Sequence, residues 1–469
     1  MSISSWLCSF LLSFWLTAQD RYEPILARIR AGDAASAENE LKSIIKGSPG
    51  DAWARFYLGT LYATRHDYLP AISEYREAAR LEPEIARFHL ALGYAYRDIA
   101  HYDQAIQALR TAIVREPGNA EARFVLGAIY HLQEKDESAR KEIESGLQIE
   151  PHNVAARLML GDIYLTSGNA KAGEFYAEVA RREPKNAHAH LGLASTYALN
   201  PDTYDKAVEH LLLILTFEPK NFEARSRLGQ LYGKMNRNQE AVEQLRVAIA
   251  LNPESAATHF ALGNLLLKTG MRAEGERLLA QFKDLTARQQ AQKGAAHRAN
   301  DLLSQGKELA WQNKLQDAIA TFNQVLEIDP DSSAAHSMLA KVYLSMRDVP
   351  RARKHITRAL ELEQYNGEYH YLLGLVLKDE KRYPDAILEI RQALASRPDF
   401  ADAHNVLGNL YAKLGRYPDA VSHYQKAIEL EPDEPEPHLN LASAYKRVGR
   451  IEESEKELAI FRKLAAGNK

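Results

Sequence analysis

The chain has 469 residues, with 59 basic and 62 acidic side chains, a formal net charge of −3 and a single cysteine, Cys8. So even a balance lacks the concentrated basic face of a nucleic-acid binder, and one cysteine excludes an internal disulfide. No HExxH, P-loop, GxSxG or paired-cysteine motif occurs and the carboxylates are spread evenly, which gives no catalytic site and no cofactor to assign.

The first element is apolar. Met1 to Ala18 carries no charged side chain, and Trp6 to Leu16 is interrupted only by Ser9 and Ser13 before Leu16-Thr17-Ala18. This pattern predicts a secretory signal cleaved after Ala18, with a mature chain that starts at Gln19 and is exported to the periplasm or secreted. If residues 1–18 were retained they would anchor the chain to a membrane, and if they are an unrelated apolar tip the protein is cytoplasmic.

From residue 18 onward the chain repeats. Pro49, Pro83, Pro117 and Pro151 lie thirty-four residues apart, followed by Pro184, Pro219, Pro253, Pro330, Pro398 and Pro432. With proline as position 32, position 8 is Gly59, Gly93, Gly127, Gly161, Gly229, Gly263, Gly374 and Gly408, and position 11 is Tyr62, Tyr96, Tyr130, Tyr164, Tyr232, Tyr343, Tyr411 and Tyr445. Position 20 is Ala71, Ala105, Ala139, Ala241, Ala352, Ala386 and Ala420. Within residues 52–85, Leu58, Leu61 and Tyr62 share one helical face, and Ala71, Ile72, Tyr75 and Ala78 share another. Each repeat therefore reads as a helical hairpin. Its small residues sit where the two helices approach, and its proline ends the second helix by forcing the preceding residue out of the α region.

This signature resembles the tetratricopeptide repeat family, and the resemblance covers nearly everything after residue 17. It implies an all-α fold, a right-handed α-solenoid of about 13 helical hairpins starting at residues 18, 52, 86, 120, 154, 187, 222, 256, 299, 333, 367, 401 and 435. A repeat one residue short begins at 154 and a repeat one residue long at 187. Nine extra residues, 290–298, interrupt the series. At about 100° per residue they rotate the following face by roughly half a turn. The expected organisation is thus an N-terminal array over 18–289 and a C-terminal array over 299–468, joined by a helix with a weak point at Gly294. The alternative is one unbroken superhelix that loops the insertion out.

In the family the first helix of each repeat lines an inner groove, chiefly through positions 2, 5, 9, 12 and 13, with position 6 nearby. Carried onto this chain, these positions place Trp53, Phe56, Tyr57, Tyr94 and Phe124 in a partly exposed apolar groove of the second to fourth repeats. The competing reading makes Leu90, Phe124 and Leu158 core residues. From the ninth repeat on the same positions turn polar and cationic, with Lys307, Lys341, Lys378, Asn405, Asn409, Lys413, Asn440, Lys446 and Arg447. A carboxylate clamp of the kind some family members use matches only at Asn409 and Asn440, and the asparagine ladder of the O-linked N-acetylglucosamine transferases is absent. Seven histidines, His89, His190, His259, His336, His370, His404 and His438, occupy position 4 and read as framework residues, not metal ligands.

The resemblance implies a non-catalytic scaffold that binds peptide or helical segments of protein partners, with no nucleic acid, and membrane contact only through residues 1–18. The alternative is a regulatory or substrate-recruiting subunit of an enzyme or of an export or assembly complex.

Overall fold

The computed structural model describes residues 22–467, so the apolar segment 1–18 lies outside the described residues. Helices make up 81% of the described residues and no strand occurs among them, so the described chain is an all-α array of consecutive helix pairs. The second repeat shows the unit, with a first helix Ala52–Thr64 and a second Tyr68–Leu81.

Three local rules build it. Asp51 caps the first helix, its carboxylate accepting from the Ala54 amide at 3.0 Å, and Asn119, Asn153, Asn186, Asn221 and Asn366 do the same in later repeats. At the turn between the helices the chain enters the left-handed region at His66, Ala100, Glu134, Asn236, Arg347 and Lys381, or at glycine, as in Gly168 and Gly415. The second helix stops before proline. Glu82 and Glu150, each next to a proline, have ψ of 78° and 80°, outside the α region as proline demands of the residue before it.

Close approach of the two helices explains the small residues. A Cβ on Gly59 would lie 2.8 Å from the Tyr75 ring, and one on Gly408 would lie 2.5 Å from the Tyr424 ring. The alanines of position 20, from Ala71 to Ala420, are all fully buried against the opposite helix. Of the two register slips, the extra residue of the sixth repeat is taken up in a loop with a short turn of 3-10 helix at Pro201–Thr203. The residue missing from the fifth is lost ahead of Ala172, whose helix Ala172–Arg182 has 11 residues where its counterparts have 14.

Residues 290–298 lie inside a 40-residue helix, Arg272–Trp311. Gly294 sits in it with open space around the position a Cβ would take. Gly294→Ala should therefore stabilise the chain, by about 0.5–1 kcal/mol, because alanine removes unfolded-state freedom without a clash. Calorimetric melting of both proteins measures this, and a lowered midpoint would contradict it.

Contacts divide the chain into two compact units: residues up to Ala105 together with those from Ala295 on, and Ile106–Gly294. One boundary falls at Gly294, within the inserted residues. The other falls inside the helix Tyr102–Arg115, where the repeat pattern gives no break. The first unit is held by contacts between residues about three hundred apart in sequence. Arg76 donates to the Leu394 carbonyl at 3.0 Å, His101 Nδ1 donates to the Ser396 carbonyl at 3.1 Å, and the Tyr68 and Tyr365 rings meet edge to face at 5.5 Å. The Tyr365 hydroxyl also donates to the His66 carbonyl. Small residues make the approach possible: Ala79 is 7% exposed, and Ala395 and Ser396 are each 1% exposed.

Candidate partner-binding surfaces

The first helix of the second repeat carries three of six packed rings. Trp53 lies 5.8 Å from Phe56, 6.0 Å from Tyr57 and 5.0 Å from Phe88, and Phe56 lies 5.2 Å from Phe88 and 5.6 Å from Tyr75. Tyr22 closes the cluster at 5.0 Å from Tyr57. Offset and edge-on contacts of this kind add stability beyond the area they bury.

Burial divides the cluster into a floor and a rim. Phe56 is only 5% exposed and Phe88 fully buried, so Phe56 is not the groove residue its position suggested. The reason lies one repeat on. Position 3, alanine at Ala54, Ala122 and Ala156, is Phe88 in the third repeat, and this ring covers Phe56. Trp53 and Tyr57 remain partly exposed above this floor, with the Arg87 guanidinium 5.9 Å from the Trp53 ring. Burial pushes the Tyr57 hydroxyl above its ordinary range, so it stays a neutral donor at physiological pH. Tyr94, also partly exposed, holds the Arg97 guanidinium 4.7 Å from its ring. Phe124 is partly exposed, and its ring also packs on Gly146 of its own hairpin, where an added Cβ would lie 2.4 Å from it.

In the tenth to thirteenth repeats the corresponding surface is mixed in charge, where a cationic one was expected. Acids at position 2, Glu368, Asp402 and Glu436, interleave with the bases. Lys341 pairs with Glu368, while Lys307 is exposed on the long helix. The asparagines are engaged internally. Asn440 donates to Asn405 at 2.9 Å, the 8%-exposed Asn405 donates to Glu436 at 3.3 Å, and Asn409 accepts from the Tyr424 hydroxyl at 2.8 Å. A bidentate hold on a free carboxylate would require breaking these bonds.

Phe260 was not singled out from the sequence although it occupies position 5 of the eighth repeat. It is 48% exposed, with its ring 5.0 Å from Phe282. Applying the position-5 rule to every repeat would have found it.

The position-4 histidines tie each hairpin to the one before. His89, His190 and His404 donate through Nε2 to the carbonyls of Pro83, Pro184 and Pro398 at 2.9, 3.0 and 3.1 Å, and where arginine replaces histidine, Arg157 and Arg225 reach Pro151 and Pro219 at 2.9 and 3.0 Å. Among the described residues no three histidine, cysteine, aspartate or glutamate side chains gather as a metal site.

Models of the tetratricopeptide repeat match residues 90–150, 231–270, 309–376 and 408–449. No curated protein matches the chain. Among solved structures, the chain is similar to MamA at 23% identity, covering 35% of this chain and 95% of that one with a TM-score of 0.32. It is similar to PilF of Pseudomonas aeruginosa at 20% identity, covering 36% and 78%, with a TM-score of 0.35. The APC/C hetero-tetramer Cut9-Hcn1 is similar over 98% of this chain and 95% of that one, at 13% identity and a TM-score of 0.35.

Proposed function

Because the chain belongs to the tetratricopeptide repeat family, whose arrays support protein interaction, we propose that it is a non-catalytic scaffold and that the second repeat presents its principal anchor for a partner polypeptide. The observation that carries this is the pair of partly exposed rings, Trp53 and Tyr57, on a rigid buried floor of Phe56 and Phe88, with Arg87 beside them. Aromatic anchors held in place before binding lose little entropy, and their truncation typically costs about 2 kcal/mol or more. The surface suits a peptide or short helix with an apolar side chain for the rings and an acid for Arg87. Residues 1–18, read as an export signal, would place this encounter outside the cytoplasm.

A photo-crosslinking residue at Trp53, introduced in the native host, tests the reading. A discrete crosslinked polypeptide is the expected product. Trp53→Ala with Tyr57→Ala should reduce capture of that polypeptide by about thirtyfold or more, with circular dichroism unchanged. Equal capture by this folded variant would rule the anchor out.

A further inference from the structure

Three repeats, the sixth, tenth and twelfth, place a second histidine against the one at position 4. His190 and His210, His336 and His355, and His404 and His423 each bring their Nδ1 atoms to 3.0 Å. The Nε2 of the first member faces the carbonyl of Pro184, Pro330 or Pro398 at 3.0, 3.3 and 3.1 Å. A carbonyl only accepts, so Nε2 carries the hydrogen and Nδ1 of that neutral ring is left as an acceptor. The second histidine must then donate its Nδ1–H. Each pair is a staple that joins the two helices of its own hairpin and grips the preceding repeat.

The surroundings oppose added charge. The second ring stacks on the repeat's signature tyrosine, at 5.7 Å on Tyr197, 5.6 Å on Tyr343 and 5.5 Å on Tyr411. Each of those tyrosines also carries a cation over its ring, Lys206, Arg351 and Arg416 respectively. The tenth pair faces Lys354 and Arg358 against the single acid Asp331. The twelfth faces Lys426, Arg391 and Arg76 against Asp419 and Glu429; the sixth faces the acid Glu209, and there burial and the facing histidine oppose the charge. A proton added at Nδ1 of the first ring sets two N–H groups against each other and breaks the bond; one added at Nε2 of the second ring leaves the bond but puts a positive charge on a ring whose burial disfavours it. The eleventh and thirteenth repeats differ at the same place. There His370 and His438 meet Glu389 and Glu457 at 2.7 and 2.6 Å, so an added proton completes a hydrogen bond.

We infer that the three His–His pairs are an acid-release device: in mildly acidic medium they open and loosen the sixth, tenth and twelfth repeats, while the eleventh and thirteenth keep their histidine–carboxylate staples. The direction of titration agrees with the geometry. Burial first, and the facing histidine next, push His355 and His423 from 6.5 down to about 4, and His210 is lowered for the same reasons. The folded chain therefore binds fewer protons than the unfolded chain between those limits. The staples' contribution is complete above about pH 6.5 and falls away as pH drops toward 4.

The test is hydrogen exchange of the full chain at pH 7.5 and 5.0, corrected for intrinsic rates. Protection of Ala187–Tyr197, Ser333–Ser345 and Ala401–Lys413 should fall about tenfold or more relative to Gly367–Asp379 and Pro435–Arg447. The triple variant His210→Glu, His355→Glu, His423→Glu, which copies the staple of the eleventh and thirteenth repeats, should lose this difference. Should the triple variant fold poorly, His355→Gln alone, read on the tenth repeat against the wild-type twelfth, asks the same question, because glutamine donates at either pH. A uniform fall across all five repeats, or an unchanged fall in the variants, overturns the inference.

Discussion

Phe56→Ala should destabilise the second and third repeats by about 3–5 kcal/mol, the cost of emptying an aromatic site in a packed core. The ring is 5% exposed, and its neighbours Trp53, Tyr57, Tyr75 and Phe88 all approach within 5.8 Å between centroids. Phe88 and Tyr75 are fixed by their own hairpins and cannot collapse into the gap, so the cavity term adds to the lost transfer energy. Because stability in a repeat array is a sum over neighbouring interfaces, the loss should be local. Hydrogen exchange would quicken first in Ala52–Thr64, Tyr68–Leu81 and Ala86–Asp98. Urea unfolding with exchange by mass spectrometry measures both. A change below about 1 kcal/mol would return Phe56 to the groove. Trp53→Ala is the comparison: it removes a rim ring, so it should cost less stability and more binding.

This difference shows what was legible in the sequence. Glycine at position 8, alanine at position 20 and proline at position 32 act within one hairpin or between neighbours, so their roles recur every thirty-four residues and can be read by comparing the repeats. The inner-groove rule carried over from the family failed at Phe56 because it assumes a small residue at position 3 of the next repeat. Phe88 breaks that assumption, and a ring where other repeats have alanine was the available signal. The cationic reading of the last repeats failed for a related reason: it weighed lysines and asparagines without the acids at position 2 that pair with them, as Glu368 does with Lys341. The pairing of position 4 with a second histidine was legible in principle. His336 and His355, like His404 and His423, are nineteen apart, one hairpin's return.

The contact between the early repeats and the eleventh had no periodic signature, since neither partner repeats it. It left a local trace. Position 29 is exposed in the other repeats, at Arg80, Val114, Gln148, Glu327, Glu361 and Glu429, but in the eleventh it is Ala395, 1% exposed beside Leu394 and Ser396. Restoring a long charged residue there should separate the two surfaces. Ala395→Arg places a guanidinium where no water reaches and where the Leu394 carbonyl already accepts from Arg76. Overpacking alone costs about 1–3 kcal/mol, and a buried unpaired charge adds to it. The surfaces are held by few hydrogen bonds, so undocking relieves the clash more readily than unfolding either hairpin. The expected result is unchanged helicity, with protection of residues 66–101 and 365–396 reduced about tenfold or more. Glu429→Arg, the same change at an exposed site one repeat later, should alter neither. If Ala395→Arg leaves exchange in both segments as it was, the contact does not hold the unit together.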